Sequence, residues 1–177
     1  NGRLSVECVS RWRSEYFDLA GAGIYLKNRD DVDAKKIALW GGSYGGYLTA
    51  HGLARASDLF ACGVDIHGVH DWNEAIRNFV SSYSPEKLEA FAKLAFQSSP
   101  EYYIDGWKSP VLFIHGDDDR NVNFTETVRL AELLRERNVP FEQLVFPDEV
   151  HSFLLHRHWI QAYEAAFEFI NRQFNKK

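Results

Sequence analysis

The chain has 177 residues, enough for one domain with a sizeable core. Hydrophobic residues make up 45%, charged residues 25%, and the net charge is -5, so nucleic acid and anionic lipid find no basic stripe to bind. No apolar run approaches the length of a membrane span. Cys8 and Cys62 are too few for a disulfide framework and lack metal-ligand spacing, so no metal and no cofactor is expected. Cys62, in an apolar run, reads as a small buried hydrophobe. The chain starts at Asn1, contains no methionine and shows no signal-peptide zones. It reads as a processed or truncated piece whose compartment is open, the cytoplasm being slightly favoured.

Residues 4–9 alternate apolar and polar, which predicts a strand. Residues 14–28 follow as a helix carrying Tyr16, Phe17, Leu19, Ala20, Ile24 and Leu26, weakened by Gly21 and Gly23. A polar turn at 30–36 leads into a buried strand at 37–40, and Tyr44 to Ala56 reads as a helix. Ala61 to His67 predicts a second strand, and 71–96 is mainly helical with a break at Ser84-Pro85. Pro110 to His115 is the clearest buried strand, an apolar run ended by Gly116. An amphipathic helix over 124–138 places Val128, Ala131 and Leu134 on one face. Phe141 to Phe146 is a strand stopped by Pro147. The last helix, 156–174, is expected to bury Trp159, Tyr163, Phe167, Ile170 and Phe174. Strands alternating with helices predict an α/β fold, a mostly parallel sheet with helices on both faces, as one domain.

Between the 37–40 strand and its helix the chain reads Gly41-Gly42-Ser43-Tyr44-Gly45. This Gly-x-Ser-x-Gly pattern is that of a nucleophile elbow, a tight strand-to-helix turn that raises a serine hydroxyl into a cleft. In an open α/β sheet, ligands bind beyond the carboxyl ends of the strands. Three such ends carry chemistry here: Ser43, the acidic run Asp117-Asp118-Asp119, and His151. The order serine, acid, histidine is that of α/β-hydrolases. A neutral imidazole at His151 can accept the serine proton, and one of the three aspartates can fix its tautomer. The N–H of Tyr44 is placed to donate to a developing oxyanion. Of the other histidines, His115 reads as structural, and His51 lies on the elbow helix. His156 and His158 are weak evidence for metal. His67 and His70 flank Gly68 at a strand end and line the cleft without an assigned role.

Three segments carry a family likeness: residues 41–47, His115-Gly116-Asp117-Asp118-Asp119-Arg120-Asn121-Val122, and Asp148-Glu149-Val150-His151-Ser152-Phe153. From about residue 14 to the C-terminus the sequence resembles the catalytic domain of the prolyl oligopeptidase family of serine peptidases, in particular its dipeptidyl-peptidase and acylaminoacyl-peptidase branches. Residues 1–13 match no part of that pattern. The resemblance makes Ser43 the nucleophile, His151 the base and Asp119 the acid. It implies a substrate pocket of Tyr44, Val69 and Trp72, with Phe79 less securely placed, and Asn121 and Val122 close to a peptide substrate. Family members also carry upstream strands, a second oxyanion donor and usually a propeller, so this chain is expected to be the C-terminal part of an α/β-hydrolase domain. Its turnover should then suffer, since one lost oxyanion donor costs about a hundred- to a thousandfold. The 37–40 strand would become a sheet edge, covered either by residues 4–9 or by another copy. Two other readings compete with a peptidase: a carboxylesterase-like hydrolase, and an inactive self-associating fragment.

Overall fold

The computed structural model describes residues 6–176, with residues 6–14 described by backbone alone. Helix α1 (Val6–Lys27) precedes β1 (Ala38–Gly42), α2 (Tyr44–Ala56) and β2 (Cys62–Ile66). Then come α3 (Trp72–Phe79), α4 (Glu89–Gln97), β3 (Val111–Gly116), α5 (Thr125–Glu136), β4 (Phe141–Phe146) and α6 (His156–Phe174). Short 3-10 segments at Pro85–Lys87 and Pro100–Gly106 bracket α4. Among the described residues, no helix is long and apolar enough to cross a membrane.

All four strands are parallel, in the order β1-β2-β3-β4. Each strand adds to the same side of the last, so right-handed crossovers put the intervening helices on one face. There Ala50, Leu53 and Ala54 of α2 and Leu130, Ala131 and Leu134 of α5 pack with Val111 and Phe113. Helix α6 follows the last strand and covers the other face, where Ala162, Ala166 and Phe169 meet Val64, Ile66, Leu112 and Ile114. The alternation Val111/Phe113 against Leu112/Ile114 is the two-residue period of a strand buried on both sides. A parallel sheet with helices on both faces is the α/β-hydrolase-like layering expected from the sequence.

Several sequence expectations need correction. The strand over 4–9 is not there: residues 6–9 form the first turn of α1, and residues 4 and 5 lie outside the described residues. Six residues of alternation are too few to exclude a helix, because Val6 and Val9 also stand at helical spacing. Gly23 does not weaken α1 so much as seat it, since a Cβ there would lie 2.7 Å from Leu59. On α5 the buried face is Thr127, Leu130, Ala131 and Leu134, and Val128 is 40% exposed. On α6 the buried residues are small: Ala162 and Ala166 bring the helix close to the sheet, with Phe169 the one large residue fully covered. Tyr163 (51% exposed) and Phe167 (65%) stay outside, and Trp159, Ile170 and Phe174 are partly covered. Close approach by alanines displaces the big rings to the flank, where Tyr163 meets Trp40 at 5.7 Å. Cys62 is fully buried, which pushes its thiol up to about 11.

Phe113 is 1% exposed on the α2/α5 face of the central strand β3. Phe113→Ala should therefore cost about 3–5 kcal/mol in a denaturant titration. A loss under 1 kcal/mol would show that this face is not the packed core.

Candidate active site

The four strands run in the same direction, so their carboxyl ends deliver four loops to one edge of the sheet. Ser43 stands between β1 and α2 at φ 55° and ψ -113°, a left-handed conformation that a side chain rarely adopts. Its N–H donates to Ile66 O at 2.8 Å, and its carbonyl accepts from Tyr47 N at 3.0 Å, opening α2. The turn is possible because Gly41 has no Cβ; one there would lie 2.3 Å from the backbone of Gly45. Gly45 itself has open space, so the steric demand falls on Gly41.

His151 comes from the loop between β4 and α6. Its Nε2 is 2.8 Å from Ser43 Oγ, and its Nδ1 is 2.7 Å from Asp119 Oδ2. Asp119, 4% exposed beyond β3, is held at both oxygens. Oδ1 accepts from the Asn121 and Val122 amides, each at 2.9 Å. Oδ2 also takes His115 Nε2 at 3.1 Å, while His115 Nδ1 meets the Thr127 hydroxyl at 2.8 Å. Two acceptors around Nε2 mean that His115 carries its proton there and accepts from Thr127 at Nδ1. Burial by itself would raise the Asp119 carboxyl, but the hydrogen bonds from His115, His151 and Val122 hold it well below the ordinary carboxylate range. Asp117 and Asp118 face solvent, where Asp117 accepts from Asp148 N (2.7 Å) and Asp118 pairs with Arg120.

The histidine loop is shaped from below. Glu149, 2% exposed, accepts from Leu154 N at 2.6 Å, Leu155 N at 3.0 Å and His158 Nδ1 at 2.6 Å. The loop lies against Gly116 so closely that a Cβ there would meet Glu149 O at 2.2 Å. Tyr44 N–H, the first amide of α2, belongs to the set with no acceptor inside the helix. Val69, Trp72 and Val122 pack together around buried Tyr47, and the Tyr44 ring joins at 5.1 Å from Tyr47 and 6.2 Å from Trp72. The Tyr44 hydroxyl donates to Glu15. Asn121 is exposed next to this patch, and its carbonyl accepts from Asn78 Nδ2 at 3.1 Å. Phe79 is 68% exposed and stands outside the cluster.

Sequence reasoning gave no partner to three histidines that matter here. His67, 5% exposed and at φ 44°, lies with its ring centroid 4.2 Å from that of His151. Burial first, then the neighbouring rings of His151 and His115, push it down to about 4. His115 braces the Asp119 carboxylate, and its position four residues before Asp119 was the available signal. His70, fully buried beneath the elbow, bonds Asp65 at 2.7 Å, and Asp65 in turn accepts from Gly68 N at 3.0 Å. Burial opposes the charged ring of His70, but Asp65 and Glu126 prevail and lift it to about 9. Glu126 accepts from the His70 and Asp71 amides, each at 2.9 Å, and burial pushes its own carboxyl up to about 7.

The model of the prolyl oligopeptidase family matches residues 12–177. The chain belongs to this family. It is 32% identical over 147 residues to dipeptidyl aminopeptidase BIII of Pseudoxanthomonas mexicana, a span of 77% of this chain and 21% of that protein. Dipeptidyl peptidase 4 of Sus scrofa is 33% identical over 135 residues, 72% of this chain and 17% of the relative. Among solved structures, an acylaminoacyl peptidase in complex with Z-Gly-Gly-Phe-chloromethyl ketone superposes with a TM-score of 0.78 at 23% identity, over 92% of this chain and 28% of the other. Porphyromonas gingivalis dipeptidyl peptidase 4 gives 0.77 at 27% identity, over 89% and 22%. The chain thus spans about a fifth of the length of these two curated prolyl oligopeptidase relatives.

Gly116→Ala should push the histidine loop off β3, destabilising the fold by about 1–3 kcal/mol and separating His151 from Ser43. A variant with unchanged stability and unchanged reactivity at Ser43 would contradict the close approach. For His70, a folded-state value near 9 against an ordinary 6.5 stabilises the fold fully below about pH 6.5. That contribution is lost as pH rises through 9. Denaturation midpoints should therefore fall between pH 7 and 9.5 more steeply for the wild chain than for His70→Gln; parallel curves would rule out a charged His70.

Proposed function

We propose that the chain carries serine-peptidase chemistry, cleaving peptide bonds through an acyl-enzyme on Ser43. One observation carries the reading: a single imidazole, His151, stands within hydrogen-bond distance of a serine hydroxyl on one side and a buried carboxylate on the other. With Asp119 accepting the Nδ1 proton, Nε2 is left with the lone pair that the Ser43 proton needs. Ser43 Oγ then bonds to the scissile carbonyl carbon as His151 takes its proton, and the carbonyl oxygen becomes an oxyanion facing the Tyr44 N–H. His151 returns the proton to the leaving amine as the C–N bond breaks. Water, activated by the same imidazole, hydrolyses the ester. The apolar patch of Tyr44, Val69, Trp72 and Val122, with Asn121 next to it, is proposed to seat the substrate side chain before the scissile bond. Relatives named as dipeptidyl and acylaminoacyl peptidases support peptide over ester as the substrate class.

A fluorophosphonate probe tests the reading, because it reacts with an activated serine whatever the natural substrate. Labelling should be abolished in Ser43→Ala, fall at least a hundredfold in rate in Asp119→Asn, and change less than threefold in Asp117→Asn or Asp118→Asn. Equal damage from all three aspartates would overturn the choice of acid. Labelling should also decline in acid along a single-proton limb, because the base must be neutral. Burial pushes His67 down to about 4, so the limb should persist in His67→Phe. Comparing ester with aminoacyl- and dipeptidyl-amide substrates separates the peptidase from a carboxylesterase. A folded chain whose Ser43 never labels would leave only an inactive fragment.

A further inference from the structure

The proposed reaction leaves His67 without a task, although its placement is costly. Its backbone is held at φ 44°, its side chain is 95% covered, and Nδ1 is buried without a hydrogen-bond partner. Its ring lies 33° from parallel to that of His151, and its Nε2 faces Gly42, where a Cβ would stand only 3.3 Å away. The glycine before the nucleophile thus keeps room in front of this imidazole. Among the described residues, His67, Asp119 and His151 each present one donor atom, all within 4.8 Å of one another.

We propose that His67, Asp119 and His151 form a binding site for a divalent transition-metal ion of the zinc class, and that the bound ion holds Ser43 inactive. The inhibitory consequence rests on the peptidase reading; the binding does not. Two imidazoles and one carboxylate are the borderline donor set that zinc prefers, with three protein ligands leaving a fourth position open. Water can fill that position, and an imidazole that binds the ion through Nδ1, the nitrogen facing Asp119, keeps its proton on Nε2 and cannot accept one from Ser43. Bonds of about 2.1 Å put tetrahedral ligand atoms roughly 3.4 Å apart, so His151 Nδ1 and Asp119 Oδ2, 2.7 Å apart, must open slightly while the wider donor pairs, within 4.8 Å, close. His151 can move because it sits on a loop and is 17% exposed, unlike the two buried ligands. Asp119 is already oriented by the outer contacts a metal ligand requires: His115 at 3.1 Å, itself fixed by Thr127, and the Asn121 and Val122 amides. An ion held here occupies the His151 and Asp119 donors that would otherwise activate Ser43, so metal binding and hydrolysis exclude each other. The site departs from the sequence expectation of no metal, which had no way to bring residue 67 to residues 119 and 151.

The test titrates Zn2+ and Co2+ into the Ser43→Ala chain, which keeps all three ligands and needs no activity. One equivalent should bind, Co2+ should give the visible absorption of a four-coordinate site, and the imidazole 15N resonances of both His67 and His151 should shift. Adding His67→Phe, which keeps the ring's bulk, should weaken binding at least tenfold. His67→Gln serves the same purpose if the phenylalanine variant does not fold. In the unmodified chain, Zn2+ should slow fluorophosphonate labelling of Ser43, and a chelator should restore it. Unchanged affinity in the His67 variants, or an unshifted His67 resonance at saturating metal, overturns the proposal. A chain that binds metal as described but never labels defeats the peptidase reading and leaves the site standing.

Discussion

Everything at the carboxyl edge of this sheet is arranged around one imidazole. His151 can reach Ser43 and Asp119 together only because β1, β3 and β4 run parallel and end at the same level. Their order then fixes the distances between loops that are far apart in sequence. The elbow contributes a strained Ser43, made possible by Gly41, and the β3 end contributes an acid fixed at both oxygens. Gly116 allows the histidine loop to lie flat on β3. Each of these features holds one of the three loops in place, and a ring displaced by about an ångström would lose its hydrogen bonds.

The floor of the site is unusually polar for a sheet interior. Asp65 is 1% exposed, and its carboxylate braces the Gly68 amide and His70 directly under the first turn of α2. Gly46 approaches the same carboxylate so closely that a Cβ would lie 2.5 Å from it. Arg129 caps the far end of this network, reaching Asp71 at 3.3 Å and Glu101 at 2.9 Å. A buried network of this kind adds little net stability but leaves few alternative arrangements, which suits a support for an elbow that must not relax.

Much of this was legible in the sequence. The strands at 37–40, 61–67, 110–115 and 141–146 were readable as apolar runs closed by glycine or proline, and the elbow by its glycines. The chemistry-bearing positions followed from where those runs end. What escaped reading depends on distance in sequence. His67 meets His151 and His115 meets Thr127 only after the sheet assembles, and a lone histidine at a strand end has no local pattern to report it. The aromatic residues of α6 misled for a related reason: ring size suggests burial, but Ala162 and Ala166 set the approach to the sheet. Residues 6–9 joined α1 because a short alternating run is compatible with either periodicity.

The central claim is a particular tautomer: His151 protonated at Nδ1 toward Asp119, with Nε2 unprotonated and accepting from Ser43. Nitrogen-15 NMR of the His151 imidazole at neutral pH tests it most directly. The account requires a proton coupled to Nδ1, shifted downfield by the short bond to Asp119, and no proton on Nε2. A ring protonated at Nε2 alone, or one averaging freely between the two tautomers, would contradict it.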